Sequence, residues 1–402
     1  MAKLRGNAIV GQSGGPTMVI NQSLVGLIEA ADACLEIETL FGARHGMEGV
    51  LKEDFVNLST QPKALLEKVA KTPGAALGST RRKPTDEQCM EMFEVMRKRD
   101  VRFFFYIGGN DTAEACQIIN EKSIAAGYEL RCFHVPKTID NDLLVTDHCP
   151  GYGSAARFVA SAFMGDNMDN RSLRGIKINV VMGRNAGFLT AASALARTRK
   201  DDGPHLIYLP ERAVTREQFR NDVAEVYERL GRCVVAVSEG IEDAGSAERK
   251  TFAEVIKDTM EVSEFGDFQL SGSGALGDWL AAQVREALPK ARLRADTFGY
   301  MQRSFPGAVS KVDSMEARQV GRKAVEFATH ADVDGSVVIV RAPGRGYAVE
   351  YDRTALANVA RKTKKMPDEF IAPAGNDVTR EFVAYAKPLV GRLPAVGYLE
   401  GM

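Results

Sequence analysis

No run of apolar residues in this sequence approaches the roughly 18 that a membrane-spanning helix needs, and its opening, MAKLRGNAIV, has one short apolar stretch leading into a glycine-rich turn. A membrane partner is therefore not expected, and the chain reads as a soluble cytoplasmic protein. Charge of one sign is also missing, with 52 basic and 53 acidic residues for a net charge of -1. That balance offers no general attraction for nucleic acid, so any anion site must be local. The six cysteines, Cys34, Cys89, Cys116, Cys132, Cys149 and Cys233, include no C-x-x-C pair. Neither a zinc site nor a disulfide framework is expected of them. Histidines are few (His45, His134, His148, His205 and His330) and lack metal-ligand spacing, so each reads as structural. The single tryptophan, Trp279, sits at helical spacing from Leu276 and Leu280 and reads as core.

What is present is alternation. Short β-rich runs give way to longer stretches of helical period, and each run ends in glycine or a polar loop, the pattern of parallel βαβ units. NAIVGQ leads to SGGPT and a helix from about residue 20; FFFYIGG leads to NDT and a helix; LRCFHVPK leads to TIDND; KINVVMG leads to RNAGF. The pattern repeats through HLIYLPE, CVVAVSEG and RLRADTFGYMQR. A chain of 402 residues suits two such lobes. The expectation is an α/β protein of two Rossmann-like lobes with mostly parallel sheets, residues 1–145 and 146–303, with 304–402 packing back on both. In open α/β sheets ligands lie at the carboxyl ends of strands, which places the site on these loops, in a cleft between the lobes.

Three of the loops carry chemistry. After FFFYI, Gly108 and Gly109 let an anion approach the backbone, and the helix that follows Asn110 and Asp111 offers free N–H groups and a positive dipole end. An ordinary strand-to-helix turn has the same composition. A second turn of this kind, Ser13-Gly14-Gly15-Pro16-Thr17, follows the first strand, as expected where a polyphosphate spans two loops. The third, Pro136-Lys137-Thr138-Ile139-Asp140-Asn141-Asp142, ends a strand in a cation and two carboxylates. In an extended segment Asp140 and Asp142 share a side, which suits a general base with a neighbour that holds the acceptor. A polar turn capping a strand is the plain alternative.

GGNDT, PKTIDND, MGRNAGF, SEG and GYMQR occur in the order and at about the spacing seen in phosphofructokinases, and the chain resembles that family from about Ala8 to Arg303. The tail, with PAGNDVTREFVAYAKPL, is similar to the longer, diphosphate-dependent branch. The resemblance implies reversible phosphoryl transfer from diphosphate to the 1-hydroxyl of fructose 6-phosphate, with Mg2+, in a homodimer or homotetramer. It makes Asp140 the base and Arg184 the charge stabiliser. Thr138, Ile139, Asp142, Met182, Gly183 and Glu239 would contact the sugar, while Arg294, Tyr300 and Arg303 would hold its 6-phosphate. Gly14, Gly15, Gly109 and the basic Arg81 and Arg82 would take the donor. In the ATP-using branch the positions of Asp111 and Lys137 are glycines; two charged side chains there are what diphosphate-dependent members look like. Asn110 stands where most of the superfamily has a metal-binding aspartate, and an amide oxygen is a weaker ligand for a hard cation. The arginine that bacterial ATP enzymes lend to a neighbouring subunit falls at Gly175, with Lys177 as the nearest substitute. An ATP-dependent kinase, and a seven-carbon ketose phosphate as acceptor, are the alternatives that the residues leave open.

Overall fold

The computed structural model describes residues 3–246, 248–259, 274–331, 333–344 and 346–399. The chain divides into two compact units, Met1–Ser154 with Arg303–Lys364, and Ala155–Gln302 with Lys365–Met402. Each is an α/β unit, as the alternation predicts.

The first unit holds β1 (Gly6–Gln12), β2 (Ile37–Ala43), β3 (Phe55–Asn57), β4 (Val101–Gly108) and β5 (Arg131–Pro136). The second holds β6 (Ile176–Val181), β7 (Leu206–Tyr208), β8 (Cys233–Ser238) and β9 (Leu293–Thr297), and the chain then returns to the first for β10 (Gly335–Arg341) and β11 (Val349–Thr354). The first sheet runs β11-β10-β5-β4-β1-β2-β3. Its five inner strands are parallel, and β3 and β11 pair antiparallel at the edges. The aromatic run of β4 follows from burial on both faces. Phe103, Phe105 and Ile107 enter a core with Ile20, Leu24 and Val320, and Phe104 and Tyr106 enter the opposite core with Met92, Phe93 and Ile119.

The second sheet, β7-β8-β6-β9, is wholly parallel. Val235 and Val237 of β8 and Ile178 and Val180 of β6 supply its core together with Phe219, Phe252 and Leu280. Trp279 packs at the border of that cluster.

The tail is divided between the two units. β10 continues the first sheet beyond β5, covering an edge that would otherwise expose unpaired N–H and C=O groups, and the chain joins the second unit only after Lys364. The six thiols are free, and among the described residues no helix is long and apolar enough to cross a membrane.

Candidate active site

In the first unit, the turn after β1 continues the sheet: the Ser13 amide donates to the Ile107 carbonyl at 2.9 Å. Gly14 has φ +78, a conformation that favours glycine. Its amide donates to the Thr80 carbonyl at 2.8 Å, and the Ser79 hydroxyl donates to the Gly14 carbonyl at 2.6 Å. The basic loop is thereby tied to the turn. Lys137 Nζ donates to the Gly15 carbonyl at 2.7 Å, with only 4% of the residue exposed. A Cβ at Gly14 would stand 3.1 Å from that Nζ, and one at Gly15 would stand 3.1 Å from Arg303 Cζ. The two glycines are what let an ammonium and a guanidinium close on the backbone here. Burial pushes the Lys137 amine down to about 8; Asp140 opposes the shift and Arg303 adds to it.

β5 delivers Lys137, whose amide donates to the Gly108 carbonyl at 2.9 Å. Beyond it Thr138 Oγ1 accepts from the Asp140 amide at 3.1 Å, and Ile139 is buried. The extended geometry expected for 140–142 does not hold. Asn141 has φ +60, which asparagine tolerates better than most residues, and its Oδ1 accepts from the Cys149 amide at 2.9 Å. Asp140 and Asp142 still act on each other: burial first, then the Asp140 charge, holds the Asp142 carboxyl well above the ordinary carboxylate range. Asp142 Oδ2 accepts from Asn110 Nδ2 at 2.7 Å, and Asn110 opens the helix Asn110–Ala125 with Gly109 as its N-cap. Asn110 Oδ1 is buried and has no hydrogen-bond partner.

Asp111 points outward, its side chain 79% exposed, and pairs with Lys83 Nζ at 2.9 Å. Arg81 and Arg82 are exposed, with Arg82 Nε 3.7 Å from Glu48 Oε1.

In the second unit, β6 is followed by Met182, Gly183 and Arg184. The Gly183 carbonyl accepts from the Ser238 hydroxyl at 2.6 Å, and its amide donates to Glu239 Oε1 at 3.4 Å. The Glu239 amide donates to the Val181 carbonyl at 2.9 Å, so the loops after β6 and β8 are laced together. A Cβ at Gly240 would lie 1.9 Å from the Arg184 carbonyl, which explains the glycine of the SEG motif. The Met182 amide donates to Gln302 Oε1 at 3.4 Å and Gln302 Nε2 to the Gly299 carbonyl at 2.9 Å, drawing the Tyr300 turn to the same loop. Arg184 and Tyr300 are exposed.

The phosphofructokinase family model matches residues 7–328. The chain belongs to the phosphofructokinase family. It is 51% identical over 388 residues to the pyrophosphate–fructose 6-phosphate 1-phosphotransferase of Rhodospirillum rubrum, covering 96% of this chain and 95% of that one. It is 38% identical to the protein of the same name from Xanthomonas campestris, over 99% of this chain and 94% of that one. Among solved structures, the pyrophosphate-dependent phosphofructokinase of Nitrosospira multiformis superposes with a TM-score of 0.86 at 31% identity, covering 99% of this chain and 95% of that one.

Most phosphofructokinase motif residues thus fall into one cluster per unit, and Arg294 does not. It pairs in register with Lys177 near the amino end of β6. Met182 lies five residues farther on, about 16 Å along the strand at about 3.3 Å per residue. Lys177 itself is held between Asp166 at 2.6 Å and Asp296 at 3.1 Å. Two residues without an assigned role in the site, one of them a histidine read as structural, support the Asp140 loop. Asn141 fixes its turn, and His148, 2% exposed, anchors its far end with Nδ1 2.7 Å from Asp147 and Nε2 2.6 Å from Glu316. Burial alone would lower the His148 pKa, but hydrogen bonds to the two carboxylates outweigh it and raise the value. Nothing in the spacing of a lone histidine announces such a clamp.

Proposed function

We propose that the chain catalyses reversible transfer of a phosphoryl group from inorganic diphosphate to the 1-hydroxyl of fructose 6-phosphate, giving fructose 1,6-bisphosphate and phosphate. The observation that carries this reading is the buried Lys137 ammonium fixed on the Gly15 carbonyl, a cation built into the turn where a small polyanion would seat. The names of the relatives at 51% and 38% identity agree with it.

In the proposed reaction Asp140 takes the proton of the sugar 1-hydroxyl, whose oxygen attacks the nearer phosphorus as the bridging P–O bond breaks and phosphate leaves. Because Asp142 holds its proton more tightly than an ordinary carboxyl, the carboxyl pair carries less than two full negative charges and repels the incoming phosphates less. Gly14, Gly15, Gly109, Lys137, Arg81 and Arg82 receive the diphosphate, and Asp111 limits the donor. Arg184 neutralises charge that builds up on the transferring group. Thr138, Ile139, Asp142, Met182, Gly183, Glu239, Tyr300 and Arg303 position the sugar phosphate.

Mg2+ would shield the diphosphate charges. Among the described residues no three acidic, histidine or cysteine side chains form a metal cage. The partnerless Asn110 Oδ1 is an oxygen suited to a hard cation, which fits an ion held chiefly by the donor itself. Arg294, lying away from the Met182 loop, fits service to a neighbouring subunit in a homo-oligomer. A cytoplasmic setting belongs to the same proposal and rests on the metabolic substrate.

Initial rates at fixed fructose 6-phosphate, with diphosphate against ATP, test the reading. Diphosphate is expected to be the better donor by at least about thirtyfold in kcat/KM, since a desolvated charge contact is worth about 2 to 5 kcal/mol. ATP at equal or greater efficiency would move the chain to the nucleotide-using branch. Arg303→Ala is expected to raise KM for the sugar phosphate roughly tenfold or more, the value of a charge-assisted contact. Because the guanidinium stands against Gly15, KM for diphosphate should rise as well. A diphosphate KM equal to that of the parent enzyme would confine the arginine to the sugar.

A further inference from the structure

The loop of residues 79–83 is fastened at both ends. At one end the Thr80 carbonyl accepts from the Gly14 amide at 2.8 Å and from the Ser13 hydroxyl at 3.1 Å. At the other, Lys83 Nζ pairs with Asp111 at 2.9 Å and with Glu114 at 2.6 Å, two carboxylates one turn apart on the first turns of the helix Asn110–Ala125. Arg361 Nε takes the remaining Glu114 oxygen at 2.9 Å. Since β1 and β4 are neighbours in the sheet, the loop crosses the carboxyl ends of both, from the Gly14 turn to the helix that follows β4. A diphosphate seated on these two turns ends there. A nucleotide seated by the same phosphates must continue outward to a ribose and a base.

We propose that Lys83, Asp111 and Glu114 form an ionic strap that keeps nucleoside phosphates out of the donor site, making Lys83 and Glu114 specificity-determining residues; this rests on the diphosphate reading above. A nucleotide would have to part Lys83 from two carboxylates and then lay its own anionic phosphates beside them. That is exclusion by misplaced charge, a common route to specificity. Exposed ion pairs are individually weak, and either carboxylate alone still holds Lys83. The strap should therefore fail only when both are removed, which is a statement about coupling between positions. Once released, Lys83 becomes a cation facing the extra phosphate of a nucleotide.

The experiment measures competitive inhibition against diphosphate by a non-hydrolysable ATP analogue, alongside kcat/KM for ATP. It uses the full-length enzyme, Asp111→Gly, Glu114→Gln, the double variant, and the double variant carrying Lys83→Met. Each single change is expected to tighten analogue binding by less than about fivefold, the most that one exposed pair accounts for. The double variant should tighten it by about thirtyfold or more, beyond the product of the singles, and Lys83→Met in that background should erase most of the gain. Glu114→Gln should keep diphosphate kcat/KM within about threefold of the parent, because glutamine keeps the shape of the side chain and an oxygen for Lys83 and Arg361, and Glu114 is not among the groups that receive the diphosphate; this also reports that the protein is folded. Strict additivity, or a Lys83→Met effect of equal size in the parent enzyme, overturns the strap while leaving the donor reading intact. Preference for ATP by the parent enzyme would instead overturn the donor reading, and the strap with it.

Discussion

Asp140→Asn is expected to lower kcat by on the order of a hundred- to ten-thousandfold, the range for loss of a general base, and to leave KM for both substrates close to the parent values. The two halves of this expectation have separate causes. Asparagine keeps the shape of the side chain, and the Asp140 amide goes on donating to Thr138 Oγ1, so the loop is not disturbed. The amide cannot accept the hydroxyl proton, which moves only as the transition state is reached, so the loss falls on kcat. Removing the Asp140 charge also takes away one of the two causes that raise the Asp142 pKa. Burial, the larger cause, remains, so the Asp142 carboxyl should titrate lower than in the parent but still above an ordinary aspartate. Steady-state kinetics on the purified variant checks the main claim, and a variant that keeps more than about half the parent rate would show that another group takes the proton.

How much of this could be read before the structure depended on whether the signal was local. The β4 run FFFYI states its own burial on both faces, and the glycines after β1, β4 and β8 mark places where backbone or cation comes close. Each of those signals lies within a few residues. The β-branched run of β10 also favours a strand locally, but that β10 extends the sheet beyond β5 depends on pairing partners some 200 positions apart in the chain, which no window contains. Arg294 shows how pairing register, not spacing, decides where a side chain is carried. Its spacing from Arg303 suited a phosphate ligand, yet strand register, set by Ile176 opposite Leu293, carries it toward the amino end of the sheet. Asn141 was hidden inside a motif whose carboxylates attract attention, and only its left-handed φ shows that the turn depends on it. Lys83, next to the basic pair Arg81 and Arg82, carries no local sign of its partners, which lie some thirty residues on in the helix bearing Asp111 and Glu114.

Lys137→Gly is expected to cost diphosphate about 2 to 5 kcal/mol in kcat/KM, the value of a desolvated charge contact whose partner is left behind. This corresponds to roughly thirty- to several-thousandfold at about 1.4 kcal/mol per factor of ten. The sugar phosphate KM should change far less. Glycine removes packing as well as charge, so Lys137→Met is the necessary companion, keeping a similar stem beside Gly14 and Gly15 without the ammonium. If the charge matters, the two variants lose diphosphate efficiency to a similar degree. If methionine performs like the parent, the contribution was packing and the donor argument fails at this position. Titration gives an independent check. Burial holds the amine near 8, below its ordinary value, so the cation is present in full below that pH and is lost as pH rises through it. In the parent enzyme kcat/KM for diphosphate should therefore fall on the alkaline side of about pH 8, because that ratio reports groups of the free enzyme. Both variants should lack this limb while keeping any other features of the profile. A limb that persists unchanged in Lys137→Met would assign the titration to a different group and remove the support it lends to Lys137 as the cation that meets the diphosphate.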